Sequence, residues 1–274
     1  MRILMIDEKL TAKEIEDMIL TMFKQNYAQV KVSMEGSVGR QFLLYKRLID
    51  VGDIDMDINE EETENSFNEL MSFIKSTIEI YNKEHQSKLL IKKEDIRSRY
   101  KRKNQALQVK IIVRDANNSF QEATHFDIEL KIVKEIVTIA TVRDIEIKGK
   151  PLEGHIFSKL VVLSNVDKYQ GRVGKDLRAL NDMLRDCDKS GINADKIVEL
   201  MKSNFYPKDK YREFTSRRVY NELKRLYNLE KPVENVEVAF KRIFDFLKPL
   251  LNFEGHNYDR WDSKLGWIKK KDSK

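Results

Sequence analysis

Apolar residues recur at two spacings along the first half of the chain, and the change of spacing marks its elements. Between residues 11 and 27, Ile15, Met18, Ile19, Met22 and Phe23 fall three or four positions apart, which is the spacing of one helix face. Thr11 followed by Glu14 supplies a capping box at its start. A short strand is predicted over residues 30–34, followed by a Gly36-Ser37 turn and an amphipathic helix reaching about Leu48. From Asp53 to Ile58 the period becomes two. Asp53, Asp55 and Asp57 alternate with Ile54, Met56 and Ile58, so the carboxylates share one strand face while the aliphatics enter a core.

A second long helix is expected over residues 63–83, with Phe67, Leu70, Met71, Ile74, Ile78 and Tyr81 on its buried side. Strands follow at 95–101, 108–114, 125–133 and 136–142, with a loop over the DANNSF tract from Asp115 to Phe120. In the third of these, Asp127, Glu129 and Lys131 alternate with Phe126, Ile128, Leu130 and Ile132, giving a second strand with carboxylates on one face. Gly149, Pro151 and Gly154 then interrupt the pattern. Beyond them helices are predicted at 155–165, 173–188, 194–204, 210–227 and 233–251, with Trp261 and Trp267 as anchors docking the C-terminal segment. The expected class is α+β, with an N-terminal domain over 1–148 and a helical C-terminal domain over 149–274.

Composition agrees with this organisation. A chain of 274 residues can form two cores, and 41% hydrophobic and 35% charged residues with 4 Pro and 10 Gly exclude fibrous and disordered classes. No apolar run is long enough to cross a bilayer and the N-terminus turns acidic too early for a secretory signal, so a cytoplasmic protein without a membrane partner is expected. The single cysteine, Cys187, excludes an internal disulfide and a cysteine-based zinc cluster and reads as a small core side chain.

Net charge is +6 but unevenly spread: residues 50–64 are acidic, whereas 92–110 and 208–225 are rich in Lys and Arg. Basic surface around an acidic centre suits a polyanionic substrate. In the second basic stretch Tyr211, Tyr220 and Tyr227 interleave with Arg212, Arg217, Arg218, Lys224 and Arg225. That pattern fits an RNA-binding face, and equally an amphipathic helix with its tyrosines turned inward.

Three carboxylates on one strand face repel one another and call for a compensating cation. Two aspartates one residue apart, joined by a third from a neighbouring strand, form an oxygen cage for a divalent ion. A Gly-Ser pair opening a helix offers backbone N–H groups and a hydroxyl to phosphate. Asp53, Asp55, Asp57, Asn59 and Glu64 also fall at EF-hand spacings, but Ile58 stands where that loop needs glycine and Glu60 where it needs an apolar residue, which argues against calcium. Asp57 and Glu129 lie in register with these carboxylates and read either as solvated strand-end charges, the favoured reading, or as further ligands. The four histidines, His85, His125, His155 and His256, show no metal spacing and read as ordinary surface or core residues.

Gly36-Ser37, a helix, Asp53-Ile54-Asp55 and then Asp127 on a later strand resemble the signature of the polymerase-beta-type nucleotidyltransferase superfamily. Within it the likeness is to the AbiEii/AbiGii toxin branch, which also carries a lysine on one helix and a basic residue and aspartate opening the next; Lys159 in HIFSKLVVLS and Asp176 in RVGKDLRALNDML match those positions. The interval from Ser37 to Asp53 is longer than in the family pattern, its arginine is displaced to Arg47, and Ala179 stands where the helical motif has an acid.

The resemblance implies a mixed sheet with flanking helices and an active site in a cleft between the two domains. It implies Asp53, Asp55 and Asp127 as ligands of Mg2+, with Mn2+ an alternative, and Gly36 and Ser37 as holders of a nucleoside triphosphate. Lys159 would neutralise phosphate charge and Asp176 would help to position the nucleotide. The implied reaction is nucleotide transfer to an acceptor hydroxyl, of RNA and in particular tRNA, by a toxin whose partner is an antitoxin protein. Two contrasting expectations are a noncatalytic nucleic-acid-binding protein that keeps the fold and a nucleotidyltransferase that modifies a protein hydroxyl.

Overall fold

A computed structural model describes residues 9–50, 53–61, 63–101, 106–118, 120–133, 135–163, 173–203, 235–251 and 254–271. The helix predicted over 210–227, with its tyrosines and cations, lies outside the described residues. The chain divides into two units, Met1–Pro151 and Leu152–Lys274.

The first unit begins with α1 (Ala12–Phe23), whose capping box forms as the sequence predicts: the Glu14 amide donates to Thr11 Oγ1 at 3.3 Å and the Thr11 amide to Glu14 Oε2 at 2.8 Å. Ile15, Met18, Ile19, Met22 and Phe23 are all buried. A short helix, α2 (Asn26–Lys31), delays the first strand to β1 (Val32–Met34). Val30, expected to begin that strand, is exposed. Gly36 and Ser37 are the first two residues of α3 (Gly36–Tyr45), not a turn ahead of it, and this helix ends three residues earlier than expected, at the left-handed Lys46. The acidic strand is β2 (Ile54–Asn59), and α4 (Glu64–His85) follows, capped by the Thr63 hydroxyl, which accepts from the Ser66 amide at 3.0 Å.

The strands β3 (Leu89–Leu90), β4 (Ile96–Lys101), β5 (Ala106–Asp115), β6 (Gln121–Lys131), β7 (Val137–Val142) and β8 (Ile145–Gly149) complete the sheet. Its order is β3-β5-β6-β2-β1-β8-β7, with β4 paired to β5. β2 runs parallel to β6 and β1 parallel to β8, while β1–β2, β5–β6 and β7–β8 are antiparallel, so the sheet is mixed. Sequence reasoning missed β8. The hairpin joining it to β7 turns on Arg143 and Asp144, both at positive φ, where the usual signal for such a turn would be glycine or asparagine. Ile54, Met56 and Ile58 of β2 and Phe126, Ile128 and Leu130 of β6 enter one core with the apolar faces of α1 and α4, which leaves the acidic positions of both strands together on the other face.

Among its described residues the second unit holds α5 (Leu152–Leu163), α6 (Val173–Asp186), α7 (Ala194–Ser203) and α8 (Val236–Leu251), where its periodicity predicts helices, together with a small sheet that it did not predict. In that sheet β10 (Tyr258–Asp262) pairs with β9 (Ile192–Asn193) and with β11 (Gly266–Lys269). Trp261 and Trp267 anchor it. The Trp261 indole meets Phe246 edge-on and donates to the Leu184 carbonyl at 3.0 Å, while Trp267 stacks on Phe246 and donates to its carbonyl at 2.9 Å. Cys187 is buried, and burial pushes its thiol pKa up to about 11, so it is chemically quiet as expected. Among the described residues no helix is long and apolar enough to cross a membrane.

Candidate active site

The parallel pairing of β2 with β6 sets the site. Asp55 lies in register with Asp127 and Asp57 with Glu129, so both acidic faces are the same face. Asp53 immediately precedes β2, and His125, two residues before Asp127 on β6, is turned to the same side. Ligand atoms of Asp53, His125 and Asp127 all lie within 4.8 Å of one another. Asp55 is not in this group. Its carboxylate is directed at the start of α3, where a β-carbon on Gly36 would fall 1.8 Å from Oδ2.

Gly36 therefore meets two constraints at once: its φ is +58°, and no side chain fits between its backbone and Asp55. The strand pairing fixes this contact, because the Glu35 amide donates to the Asp55 carbonyl at 2.9 Å. Glu35 precedes α3 without capping it through its side chain, so the first turn of the helix presents backbone N–H groups beside Asp55. Such a helix start suits phosphate.

The imidazole of His125 is held from behind. Its Nδ1 lies 2.8 Å from Glu122 Oε1, which fixes the ring from the side away from the acidic cluster. Its Nε2 faces the acidic cluster, 3.0 Å from Asp53 Oδ1 and 3.5 Å from Asp127 Oδ2, yet it is buried and makes a hydrogen bond with neither. Two carboxylates converging on an orphaned ring nitrogen form a donor set that fits a divalent cation.

Further along the same face the acids are neutralised internally. Lys131 Nζ lies 2.9 Å from Asp57 Oδ2 and 2.8 Å from Glu129 Oε2, and Gln108 donates to Glu129 Oε1 at 2.9 Å. Burial works against the Lys131 charge, but Asp57 and Glu129 outweigh it and hold its pKa above the ordinary lysine value. Asp57, only 4% exposed, is therefore not the solvated charge that the sequence suggests. Beside it, burial pushes the Glu35 carboxyl up to about 7, against the pull of the Lys150 ammonium 2.5 Å away.

In the second unit Lys159 Nζ lies 2.8 Å from Asp176 Oδ1, tying α5 to α6. Asp176 is buried, and its other oxygen has no hydrogen-bond partner among the described residues. The two residues that the sequence singles out in this half thus meet each other.

Two solved structures align with almost the whole chain. A candidate nucleotidyltransferase from H. pylori superposes with a TM-score of 0.54 at 15% identity, covering 89% of this chain and 96% of its own. JHP933 from Helicobacter pylori gives 0.54 at 14% identity, covering 90% and 96%. The chain has a nucleotidyltransferase-like fold. No family model and no curated protein matches its sequence. At these identities the likeness concerns the fold, and the site rests on its own geometry.

Of the residues expected from sequence, Asp53 and Asp127 come together around His125, and Asp55 meets Gly36. Sequence reasoning passed over His125 because one of its partners lies far upstream. The available signal was its i, i+2 relation to Asp127 in an alternating strand. Lys110, opposite Asp127 on β5, was likewise missed and adds a cation to the same face.

Proposed function

We propose that the protein is a divalent-cation-dependent nucleotidyltransferase that moves a nucleotide from a nucleoside triphosphate to an acceptor hydroxyl, with RNA, and tRNA in particular, as the acceptor. The observation that carries this reading is that Asp53, at the head of β2, and Asp127 of β6 bring ligand atoms within 4.8 Å of each other, while Asp55, the register partner of Asp127, lies against the helix start at Gly36. Asp53 and Asp127 would hold the cation, Mg2+ or Mn2+. Asp55, in register with Asp127 and against the start of α3, would join them. When bound, the cation supplies charge stabilisation to the attacking and leaving oxygens.

The chain's own residues do the remaining work. The N–H groups opening α3, with the Ser37 hydroxyl, receive the triphosphate in a favourable field, and Gly36 keeps that approach free of a side chain. Asp127 accepts the proton of the acceptor hydroxyl as its oxygen bonds to the α-phosphorus, and the bond to the departing pyrophosphate breaks. Lys159 neutralises phosphate charge and Asp176 orients that lysine through their ion pair. A toxin role with an antitoxin partner is what the resemblance of Lys159 and Asp176 to the AbiEii/AbiGii branch would imply.

The test is incubation with each labelled triphosphate and a divalent cation in the presence of total RNA or total protein. Label in RNA that disappears with Asp127→Ala supports the proposal. Label in protein redirects it to a protein hydroxyl, and label in neither pool returns the chain to a noncatalytic nucleic-acid-binding role.

A further inference from the structure

The imidazole of His125 has no role in the reaction as proposed, yet it is the buried member of the cation site. Asp53 and Asp127 are exposed or half-buried, whereas His125 is 9% exposed, so its position is set by packing and does not depend on solvent. Strand β6 directs the ring to the acidic face, and Glu122 Oε1 holds it at 2.8 Å from Nδ1. Nε2 on the opposite side is aimed between two carboxylates and hydrogen-bonded to neither, so it is the ring nitrogen within reach of a cation held there. A ring nitrogen oriented by a carboxylate on its far side is the arrangement of a metal-bound histidine.

We infer that His125 Nε2 is a direct ligand of the cation held by Asp53 and Asp127, and that this mixed nitrogen and oxygen site prefers a first-row transition ion such as Mn2+ or Co2+ over Mg2+. The inference concerns the cation of the proposed active site and rests on that reading for its purpose, but not for its geometry. Magnesium takes oxygen ligands and keeps much of its water, so an imidazole gives it little. Transition ions gain from the nitrogen donor, increasingly along the series from Mn2+ to Co2+. Glu122 acts as a positioning residue, holding the ring through Nδ1 so that Nε2 faces Asp53 and Asp127.

The test uses the full chain with Mn2+ alone as probe. Pulsed electron paramagnetic resonance of bound Mn2+ should show coupling to a directly coordinated 14N nucleus, replaced by the 15N pattern in protein grown on 15N-histidine. His125→Gln should abolish the coupling, and titration calorimetry should show the ratio of Mn2+ to Mg2+ affinity falling by on the order of tenfold. Glu122→Gln should weaken Mn2+ binding by about 10- to 100-fold while the coupling persists. Should His125→Gln fail to fold, the isotope substitution in the unmutated protein decides alone.

Bound Mn2+ without nitrogen coupling, or no Mn2+ binding at all, overturns the inference. Nucleotide transfer supported by Mg2+ in that protein would leave the proposed function standing. Nitrogen coupling in a protein that transfers no nucleotide would uphold the ligand and remove the function.

Discussion

The carboxylate of Asp55 occupies the space that a side chain on Gly36 would need, its Oδ2 lying 1.8 Å from the position of the missing β-carbon. Because φ of Gly36 is also +58°, Gly36→Ala strains the backbone and displaces Asp55 together. A non-glycine residue there costs about 1–2 kcal/mol before any clash is counted. Gly36→Ala is expected to lower the melting temperature by several degrees and to reduce nucleotide transfer, measured by thermal denaturation and labelled-triphosphate assay. A variant with unchanged stability and full transfer would contradict this account of the α3 start.

Asp53 is exposed and belongs to a cluster of like charges, so the fold does not depend on it. Asp53→Ala should leave stability within about 0.5 kcal/mol of the parent while reducing transfer by on the order of 100-fold or more. Urea unfolding and single-turnover rates read the two effects separately. Loss of activity through unfolding, or full activity in a stable variant, would each defeat the assignment.

Lys159 and Asp176 make opposite demands on an experiment, because the pair is structural and is also assigned to the triphosphate. Removing Lys159 alone strands a buried carboxylate whose other oxygen has no partner among the described residues, at a cost of about 3–5 kcal/mol. Lys159→Met combined with Asp176→Leu should recover most of that stability, since a buried pair replaced by apolar groups is often neutral. The double variant should nevertheless bind triphosphate more weakly than the parent. Unimpaired affinity in it would reduce the pair to a structural role.

The Glu35 carboxyl, raised to about 7 from an unfolded value of 4.5, gives stability a pH dependence. Between these two values the folded state holds a proton that the unfolded state has released. The contribution is therefore complete below pH 4.5 and is lost as pH rises through 7. Its size is on the order of 3 kcal/mol. Glu35→Gln should flatten the stability profile across this window, as followed by chemical denaturation at each pH; an unchanged slope would exclude Glu35 as its source.

Trp261 joins β10 to α6 and α8 by packing on Phe246 and by its bond to the Leu184 carbonyl. Trp261→Phe keeps part of the packing but removes the indole donor from that carbonyl, which retains the weaker Cys187 thiol at 3.9 Å, for about 1 kcal/mol. Trp261→Ala should cost about 3–5 kcal/mol. Calorimetric unfolding of both variants should rank them in that order, and equal losses would show that the hydrogen bond, not the packing, holds the strand.

Periodicity alone determined much of this protein, because local burial imposes it. The capped helix at Thr11, the alternation of Asp53, Asp55 and Asp57 with aliphatics, and the second acidic strand around Asp127 each follow from a face that must be apolar. What sequence could not carry was which face meets which. The parallel register that sets Asp55 beside Asp127 arises from pairing between segments more than sixty residues apart, and with it came His125 at the centre of the cluster and Lys131 as the cation for Asp57 and Glu129. Strand β8 and the sheet around Trp261 escaped for a related reason: strands this short are stabilised by their partners, and the alternation of Ile145-Glu146-Ile147-Lys148 is too brief to announce one.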